Sequence, residues 1–334
     1  MKRILFFLCI SFPAFSFAQS NINDLLTAGI EDAEQYTNAY LAPALEASIY
    51  NLGGSWYNTA DAKPLGGFEI SIVGNLAFFG NKDDKKAFVL NTADYQNLQF
   101  TDGSTSKTVS TALGDIEGIQ VFVEDESSLS RADFELPAGL AAEGINFIPS
   151  GFLQASVGLI KGTEVKARFL PRVKNDDVSL SLFGLGIQHE FTKHLPADKM
   201  LPVAISAVIG YSQLSGEYDF TSTSIIDGSD QRLDSKIKTW NFQAVVSTRL
   251  PIINFHGGLG YLSGTSETEV LGTYVVTSGP LQTTYVDPFS VSTDASGVIA
   301  NVGTKLKLGF FRLNADYSLG EFNRFTFGLS FGFR

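Results

Sequence analysis

The stretch that decides the fold is FTFGLSFGFR, residues 325–334. Large apolar side chains stand at every second position, and Thr, Gly, Ser, Gly and Arg stand between them. The apolar positions are Phe325, Phe327, Leu329, Phe331 and Phe333. Strict alternation predicts a β-strand with one aromatic face and one small or polar face. In water such a strand would invite aggregation, so the aromatic face needs lipid or a protein core against it.

The same period of two recurs along the chain. It is clear in GFEISIVGNLAFF (67–79), TEVKARFL (163–170), IKTWNFQAVVSTRL (237–250) and FRLNADYSLG (311–320). Alternating segments of about ten residues, joined by short and long connections, are typical of a membrane-spanning barrel. The sequence therefore predicts an all-β, transmembrane antiparallel β-barrel of ten to fourteen strands, with twelve preferred, in a monomer. The alternative is a water-soluble β-sandwich, whose apolar faces meet in a core between two sheets.

Three stretches interrupt the alternation. Residues 80–148 are polar and rich in Gly, Asp, Ser and Thr, which indicates a long excursion with one or two extra strands. Residues 264–296 are predicted to be a long loop for the same reason. Near Gly184 the alternation slips, which indicates a bulge or kink.

Residues 19–65 are predicted to form a helical plug ahead of the barrel, which occupies residues 66–334. Good helix formers with apolar residues near helical spacing fill the first part of this segment, and Pro43 is expected to divide the helix in two. Its acidic residues complement in sign the basic residues of a barrel interior. They are Asp24, Glu31, Asp32, Glu34 and Glu46.

The first eighteen residues are interpreted as an export signal. Lys2 and Arg3 precede an apolar run over residues 4–15, and small residues occupy the −3 and −1 positions before Gln19. Export with cleavage at this position, together with the predicted barrel, indicates that the chain is located in the cell outer membrane. The run is too short to cross a bilayer as a helix.

Composition excludes several classes of function. The only cysteine, Cys9, lies in the export signal, so the processed chain has no thiol for disulfides, catalysis or metal binding. Without Lys2 and Arg3 the 24 basic residues become 22 against 35 acidic ones, a net charge of −13. Such an acidic chain is a poor partner for nucleic acid, because phosphate binding needs clustered Lys and Arg.

If the apolar faces of the strands meet lipid, the ionisable residues between them point inward. A Lys or Arg facing the middle of the bilayer would cost about 2–4 kcal/mol. The candidates for the lumen lining are Glu69, Glu164, Lys166, Arg168, Lys305, Lys307, Arg312 and Asp316. They either line a polar path or neutralise one another and the plug within a small, filled lumen.

Motifs for chemistry are weak, and the chain is expected not to be an enzyme and to use no cofactor. Gly328 to Gly332 fits G-x-S-x-G, but that motif needs a turn and a helix after the serine, whereas here it lies inside the last strand. His189, His194 and His256 have neither a serine partner nor a zinc spacing. DGSD at 227–230 lacks the further ligands of a calcium loop, so no metal is expected.

Four pieces of the chain carry a resemblance to a family: GTEVKARFLPR, LFGLGIQHEF, LPVAISAVIGYSQLSGEYDF and FFRLNADYSLGEFNRFTFGLSFGFR. They resemble an uncharacterised group of outer-membrane barrels from Bacteroidota-type bacteria, which is similar in layout to the FadL-type long-chain fatty-acid transporters. The resemblance covers nearly all of the processed chain. The terminal FGFR resembles the signal read by the barrel-insertion machinery, although Arg334 follows the last aromatic residue.

Two functions remain open at this point. The first is passive, porin-like uptake of a small, hydrophobic solute by a barrel in outer-membrane lipid. The second is a structural or partner-binding role in the envelope without transport, with the two long connections facing the partner. A low-ranking third is an envelope hydrolase. A continuous pocket between plug and wall would favour uptake, and a filled interior would favour the second function.

Overall fold

A computed structural model describes residues 25–125, 130–175, 177–196, 200–220, 228–278 and 281–333. The predicted export signal and Arg334 lie outside these residues. In the described chain, no helix is both long enough and apolar enough to cross a bilayer.

In chain order, the described helices and strands are α1 (Ile30–Gly53), β1 (Phe68–Phe78), α2 (Asp83–Lys86), β2 (Ala87–Asn91), β3 (Leu98–Phe100), β4 (Ser106–Ser110), β5 (Gln120–Asp125), β6 (Ser130–Glu135), β7 (Phe147–Ile160), β8 (Thr163–Asn175), β9 (Val178–Glu190), β10 (Val203–Asp219), β11 (Gly228–Thr248), β12 (Ile253–Ser278), β13 (Leu281–Val286), β14 (Phe289–Leu308), β15 (Phe311–Leu319) and β16 (Asn323–Phe333). Short 3-10 turns span Thr92–Asp94, Leu140–Glu143 and Phe191–His194.

Ten of the described strands form a closed antiparallel ring. Its order is β11-β10-β9-β8-β7-β1-β16-β15-β14-β12, and pairing of β11 with β12 closes it. The first and last ring strands are neighbours, with Phe68 opposite Phe333. The predicted β-barrel is therefore confirmed. Ten strands lie within the expected range but two below the preferred twelve, because β2 to β6 pair in two small sheets outside the ring.

The faces of the ring follow the alternation of the sequence. Outward side chains are apolar and exposed, for example Ile72 at 52%, Phe242 at 45% and Phe327 at 52%. The inward neighbours of these residues, such as Ser71, Asn241 and Thr326, are polar and buried. An exposed apolar belt around a closed ring is the surface that a bilayer covers.

The two ends of the ring differ. At the end where β1 begins, the connections include the tight turn at Lys161-Gly162 and the short links 249–252 and 309–310; this is the turn end. At the opposite end, residues 79–146 connect β1 to β7, and β10, β11 and β12 rise well beyond the belt; this is the loop end.

A compact body sits at the loop end. The first half of α1 packs on residues 79–146: the ring of Tyr36 lies 5.9 Å from that of Phe88, and the Tyr40 hydroxyl donates to the carbonyl of Ala138 at 2.6 Å. Burial raises the pKa of Tyr36, so its hydroxyl stays neutral. Buried Leu233 and Val270 of the rising strands belong to the same apolar core. The body and the barrel are therefore packed as one structure.

The prediction of a long loop at residues 264–296 is wrong. These residues form the end of β12, β13 and the start of β14, with Thr265 opposite Asp294 and Val276 opposite Thr283. Beyond the belt the outward positions face water and carry Ser, Thr and Glu. Apolar residues therefore recur there only at wide intervals, and the period of two is hard to recognise.

The predictions of a helix break at Pro43 and of a bulge or kink in the strand at Gly184 are also wrong. Pro43 lies inside one continuous helix, α1. Proline removes one helical hydrogen bond, which packing of the helix on both the body and the ring offsets. The ladders that β9 forms with β8 and β10 run through Gly184 without a register shift.

The belt gives a direct test of lipid contact. We expect Phe327→Arg to destabilise the folded protein in liposomes by about 2–4 kcal/mol, because the charge would face the hydrocarbon. The matched control is Val89→Arg on β2, where an apolar side chain is 67% exposed outside the ring; it should change stability by less than about 0.5 kcal/mol. Denaturant unfolding of the liposome-inserted protein measures both. Equal costs would contradict a lipid-facing Phe327.

Candidate functional site

The chain between α1 and β1 passes through the whole lumen. These residues, 51–67, are called the threaded segment. It runs antiparallel to β1: the Asn51 amide donates to the carbonyl of Ile148 at 2.9 Å near the loop end, and Asn58 donates to Glu69 at 2.8 Å further along. Gly66 and Gly158 then pair through their backbones at the turn end. The lumen is thus occupied from one mouth to the other by the protein's own backbone.

Arg168 of β8 clamps the beginning of this segment. Its guanidinium donates to the carbonyls of Leu52 at 3.1 Å and Gly54 at 2.5 Å, and to the side chain of Gln154 at 2.8 Å. The side chain is fully buried and forms no ion pair with a described residue. A buried cation without a carboxylate is costly unless its donors are satisfied, so the carbonyls of the threaded segment replace the counter-ion.

Trp56 fills a niche that glycines create in the wall. Gly186 and Gly210 face each other on β9 and β10, and a Cβ on Gly210 would lie 2.2 Å from the indole Cε2. On the opposite face of the indole, the guanidinium carbon of Arg168 lies 3.7 Å from the ring centroid. Trp56 is completely buried, and a cation–π contact in such a dry site is worth about 2 kcal/mol or more.

Two carboxylates at the turn end hold the basic side chains of the lumen. Glu69 accepts from Lys305 at 3.0 Å and also from Arg312. Glu164 pairs with Lys166 and with Lys63 of the threaded segment, the latter at 3.3 Å. All these side chains except Arg312 are nearly inaccessible to solvent. Removing one partner would leave an uncompensated buried charge, which costs about 3–5 kcal/mol.

Another acidic group anchors the segment on β9, the strand next to β8. Glu190 of β9 accepts from the backbone N–H of Ala62 at 2.6 Å and from the guanidinium of Arg249. Asp61 of the threaded segment pairs with Lys193 at 3.1 Å. The segment is therefore tied by charged groups to the adjacent strands β8 and β9 and to the turn that follows β9.

A histidine network completes the lumen. His256 Nε2 lies 3.1 Å from Asp316 Oδ2, and Asn301 donates to the same carboxylate at 2.5 Å. The Tyr57 hydroxyl donates to Asn301 at 2.5 Å, which joins the network to the threaded segment. Nδ1 of His256 is buried and has no partner among the described residues.

The acidic residues of α1 do not neutralise the lumen, contrary to the prediction. Asp32 accepts backbone hydrogen bonds from Gln96 at 2.8 Å and Asn97 at 2.8 Å, and Glu46 pairs with Lys85 at 2.7 Å. These contacts belong to the loop-end body, because α1 enters the ring only with its last turns. Asp24 lies outside the described residues.

The predicted lumen candidates lie on the inward side of their strands. Six of the eight contact a residue of the threaded segment or an oppositely charged inward neighbour. Asp316 instead contacts His256 and Asn301 of the wall. Lys307 differs: it is half-buried, and its ammonium donates to the Leu250 carbonyl at 3.5 Å. The aromatic residues predicted for the last strand lie on the lipid side, with Phe333 the most exposed at 63%.

Sequence reasoning missed Arg324, Glu190, Arg249 and Trp56. Arg324 donates to the Tyr50 carbonyl at 2.6 Å and crowds against Gly54. Extending the alternation of the last strand to the residue before Phe325 would have identified Arg324 as inward-facing, because it shares the parity of Thr326. Glu190 follows in the same way from Gln188. No local pattern identifies Trp56, since its niche is built by distant strands.

The weak motifs acquire structural roles. Ser330 of the G-x-S-x-G string is buried in β16 with its Oγ 2.8 Å from that of Ser71, and no helix follows it in the described chain. His189 contacts Thr163 at 2.8 Å and stacks on His194. No group of three potential metal ligands occurs in the described residues, and Asp227 lies outside them.

Two cavities bear on function. An apolar one of about 30 Å³ lies between α1 and the wall, lined by Leu45 and Leu52 of α1 and by Leu170, Leu180 and Leu182 of the ring. A polar cleft of about 230 Å³ lies at the loop end. The first is the size of a single water molecule, and neither forms a path from end to end.

These features define a transmembrane β-barrel whose lumen is filled by the chain's own N-terminal segment. The chain matches the Family of unknown function (DUF6588) over residues 1–333 and belongs to it. A comparison with curated protein sequences gives no match.

Similar solved structures include three bacterial proteins. The attachment invasion locus protein Ail of Yersinia pestis is 11% identical, with 81% of this chain and 100% of that chain covered and a TM-score of 0.29. The translocator domain of autotransporter NalP from Neisseria meningitidis is 9% identical, with 94% and 99% covered and a TM-score of 0.31. A Pseudomonas aeruginosa FadL homologue is 10% identical, with 84% and 96% covered and a TM-score of 0.24.

The niche of Trp56 can be tested by a double-mutant cycle. We expect Trp56→Ala to cost about 3–5 kcal/mol in the free energy of unfolding, and Gly210→Ala to cost about 1–3 kcal/mol because the new methyl group strikes the indole. In the Trp56→Ala background, Gly210→Ala should cost much less, since the niche is then empty.

Gly74→Ala is the control, because a Cβ there meets no atom within 4 Å; its effect should stay within about 0.5 kcal/mol. If Gly210→Ala cost the same with and without Trp56, the two residues would not be in contact and the niche would be wrong.

Proposed function

We propose that this protein is an outer-membrane barrel that holds the loop-end body at the cell surface, with its lumen closed. Bacterial barrels of this class place short turns in the periplasm and long connections outside. The turn end therefore faces the periplasm and residues 79–146 face the exterior. The predicted export signal and the aromatic last strand, which resembles the signal read by the barrel-insertion machinery, support this location.

The observation that carries the proposal is the threaded segment. Side chains of the wall bind it near both ends of the lumen. Arg168 and Asn75 hold residues 51–55 towards the loop end, and Glu164 accepts from the backbone N–H of Lys63 near the turn end. Opening a solute path would break several buried charge contacts together. A closed, well-satisfied lumen supports a structural or partner-binding role more strongly than a pore.

Passive uptake of a small, hydrophobic solute is the second candidate. It is favoured by the apolar cavity between α1 and the ring, because an enclosed site lined by leucines suits an apolar ligand. At about 30 Å³ the cavity must grow before it admits a solute, so uptake would require α1 to shift. That the protein is not an enzyme stays a prediction.

A cross-link tests whether the segment moves. The Oγ atoms of Ser55 and Thr326 lie 2.7 Å apart, so Ser55→Cys with Thr326→Cys would tie the segment to β16 by a disulfide. The matched control is Ser71→Cys with Ser330→Cys, which ties β1 to β16 across a 2.8 Å contact without touching the segment. We expect liposome swelling and hydrophobic-solute uptake to be equally absent in the oxidised and reduced forms of both variants.

Uptake that appears in the reduced Ser55/Thr326 variant and disappears on oxidation, while the control pair stays active in both states, would replace the structural role by gated transport. The one native cysteine, Cys9, lies in the predicted export signal, so removal of that signal would leave no other thiol to compete with the cross-link.

Single-cysteine labelling tests the orientation. Val89 in the body is 67% exposed and Leu65 at the turn end is 73% exposed. We expect a membrane-impermeant maleimide to label Val89→Cys on intact cells and to label Leu65→Cys only after the outer membrane is permeabilised. The reverse labelling pattern would place the loop-end body in the periplasm and would contradict the proposal.

A further inference from the structure

The polar cleft lies on the outer, lipid-facing side of the ring, directly beyond the apolar belt. Register fixes its position: Tyr211 stands opposite Trp240 on the outward face, and four residues further along the strands Ser215 stands opposite Lys236. Four residues span about 13 Å along a strand. Trp and Tyr favour the membrane–water interface, so the cleft lies at the level of the lipid headgroups.

The cleft lining contains two cations and four carboxylates. One cation, Arg172, already pairs with Glu217 at 2.6 Å, whereas the other, Lys236, forms no ion pair in the described chain. Lys236 lines it, and Lys238 stands one outward step closer to the belt. Neither ammonium forms an ion pair with a residue that the structure describes. Glu267 stands directly opposite Lys236, and Glu269 is the next outward residue on β12.

Other polar groups add to the lining. Ser181 and Ser215 face each other on β9 and β10. The Oδ1 atom of Asp234 is buried in the cleft wall, 3.6 Å from Nε of Arg232, and accepts no hydrogen bond from a described residue. A group that brings hydroxyl donors would satisfy it.

We propose that this cleft binds the phosphorylated sugar headgroup of a glycolipid in the surrounding leaflet. Lys236 and Lys238 would take the phosphate, and Glu267, Glu269 and Asp234 would accept from sugar hydroxyls. A headgroup with only a phosphate would have no hydrogen-bond donor for these carboxylates. A sugar phosphate brings an anion for the lysines and hydroxyl donors for the carboxylates. The volume of about 230 Å³ suits one sugar unit. The cleft adjoins the lipid-facing belt without a break, which makes a membrane lipid the occupant.

Titration in nanodiscs tests this inference. Trp56→Phe leaves Trp240 as the only tryptophan of the chain, directly below the cleft. Nanodiscs of zwitterionic phospholipid would carry increasing fractions of a phosphorylated disaccharide lipid, its dephosphorylated form, or an anionic phospholipid. We expect a saturable change in Trp240 emission with the phosphorylated glycolipid, and native mass spectrometry should find that lipid retained by the chain with wild-type Trp56.

Lys236→Ala and Lys238→Ala should each weaken this binding about fivefold. Lys161→Ala at the turn end is the control that removes one exposed lysine far from the cleft and should bind as the parent does. Heat-modifiable gel migration confirms that each variant is folded.

Binding that is unchanged in the lysine variants, or an equal response to the anionic phospholipid, would overturn the headgroup site. Binding of the dephosphorylated lipid with equal affinity would overturn the phosphate contact. The proposal rests on the proposed membrane orientation, but the nanodisc result is independent of it: labelling of intact cells can fail while the cleft still binds, and the reverse.

Discussion

A ring of ten strands must fill its own interior, and the rest of this structure depends on that constraint. The period of two in a strand sends alternate side chains to lipid and to the lumen. The lipid side accepts apolar residues at no cost, but the lumen side then carries charges that need partners in a space that the backbone nearly closes. Residues 51–67 supply some of those partners, and pairs within the wall, such as Glu69 with Lys305, supply the others. The barrel wall and the segment inside it are therefore one packing problem.

The contacts of Arg168 show how that problem is solved. An inward guanidinium between the strands would be strongly destabilised if it were left dry and unpaired. Two carbonyls of the segment and the face of Trp56 take the place of a carboxylate. The glycines opposite the indole then follow, because a side chain at position 186 or 210 would occupy the same space. The buried charge of Arg168 on β8 thus explains the glycines at positions 186 and 210 on β9 and β10.

The alternation of apolar and polar residues predicted those features of the fold that depend on neighbouring residues in the sequence. Alternation around Phe327 and Ile72 was sufficient for the barrel and for the inward face of Glu69 and Arg168. It failed where water replaces lipid, as at 264–296, because the outward face there no longer needs apolar residues. It also misread Gly184, whose smallness serves a close approach by Trp56 from 128 positions away rather than a bulge. Contacts between distant segments leave no periodic trace in one sequence.

The threading also constrains assembly. The segment precedes β1 in the chain, and at the loop end it continues into α1, which packs on a body with an apolar core of its own. The body is bulkier than a lumen that one extended segment already fills, so it cannot be drawn through a finished ring. The ring must therefore close around the segment. Because β1 pairs with β7 on one side and β16 on the other, the contact between Phe68 and Phe333 is the seam at which the two ends of the strand order meet. The aromatic last strand then has two tasks at once: its outward face meets lipid, and its inward face, with Arg324, Thr326 and Ser330, shuts the wall over the segment it encloses.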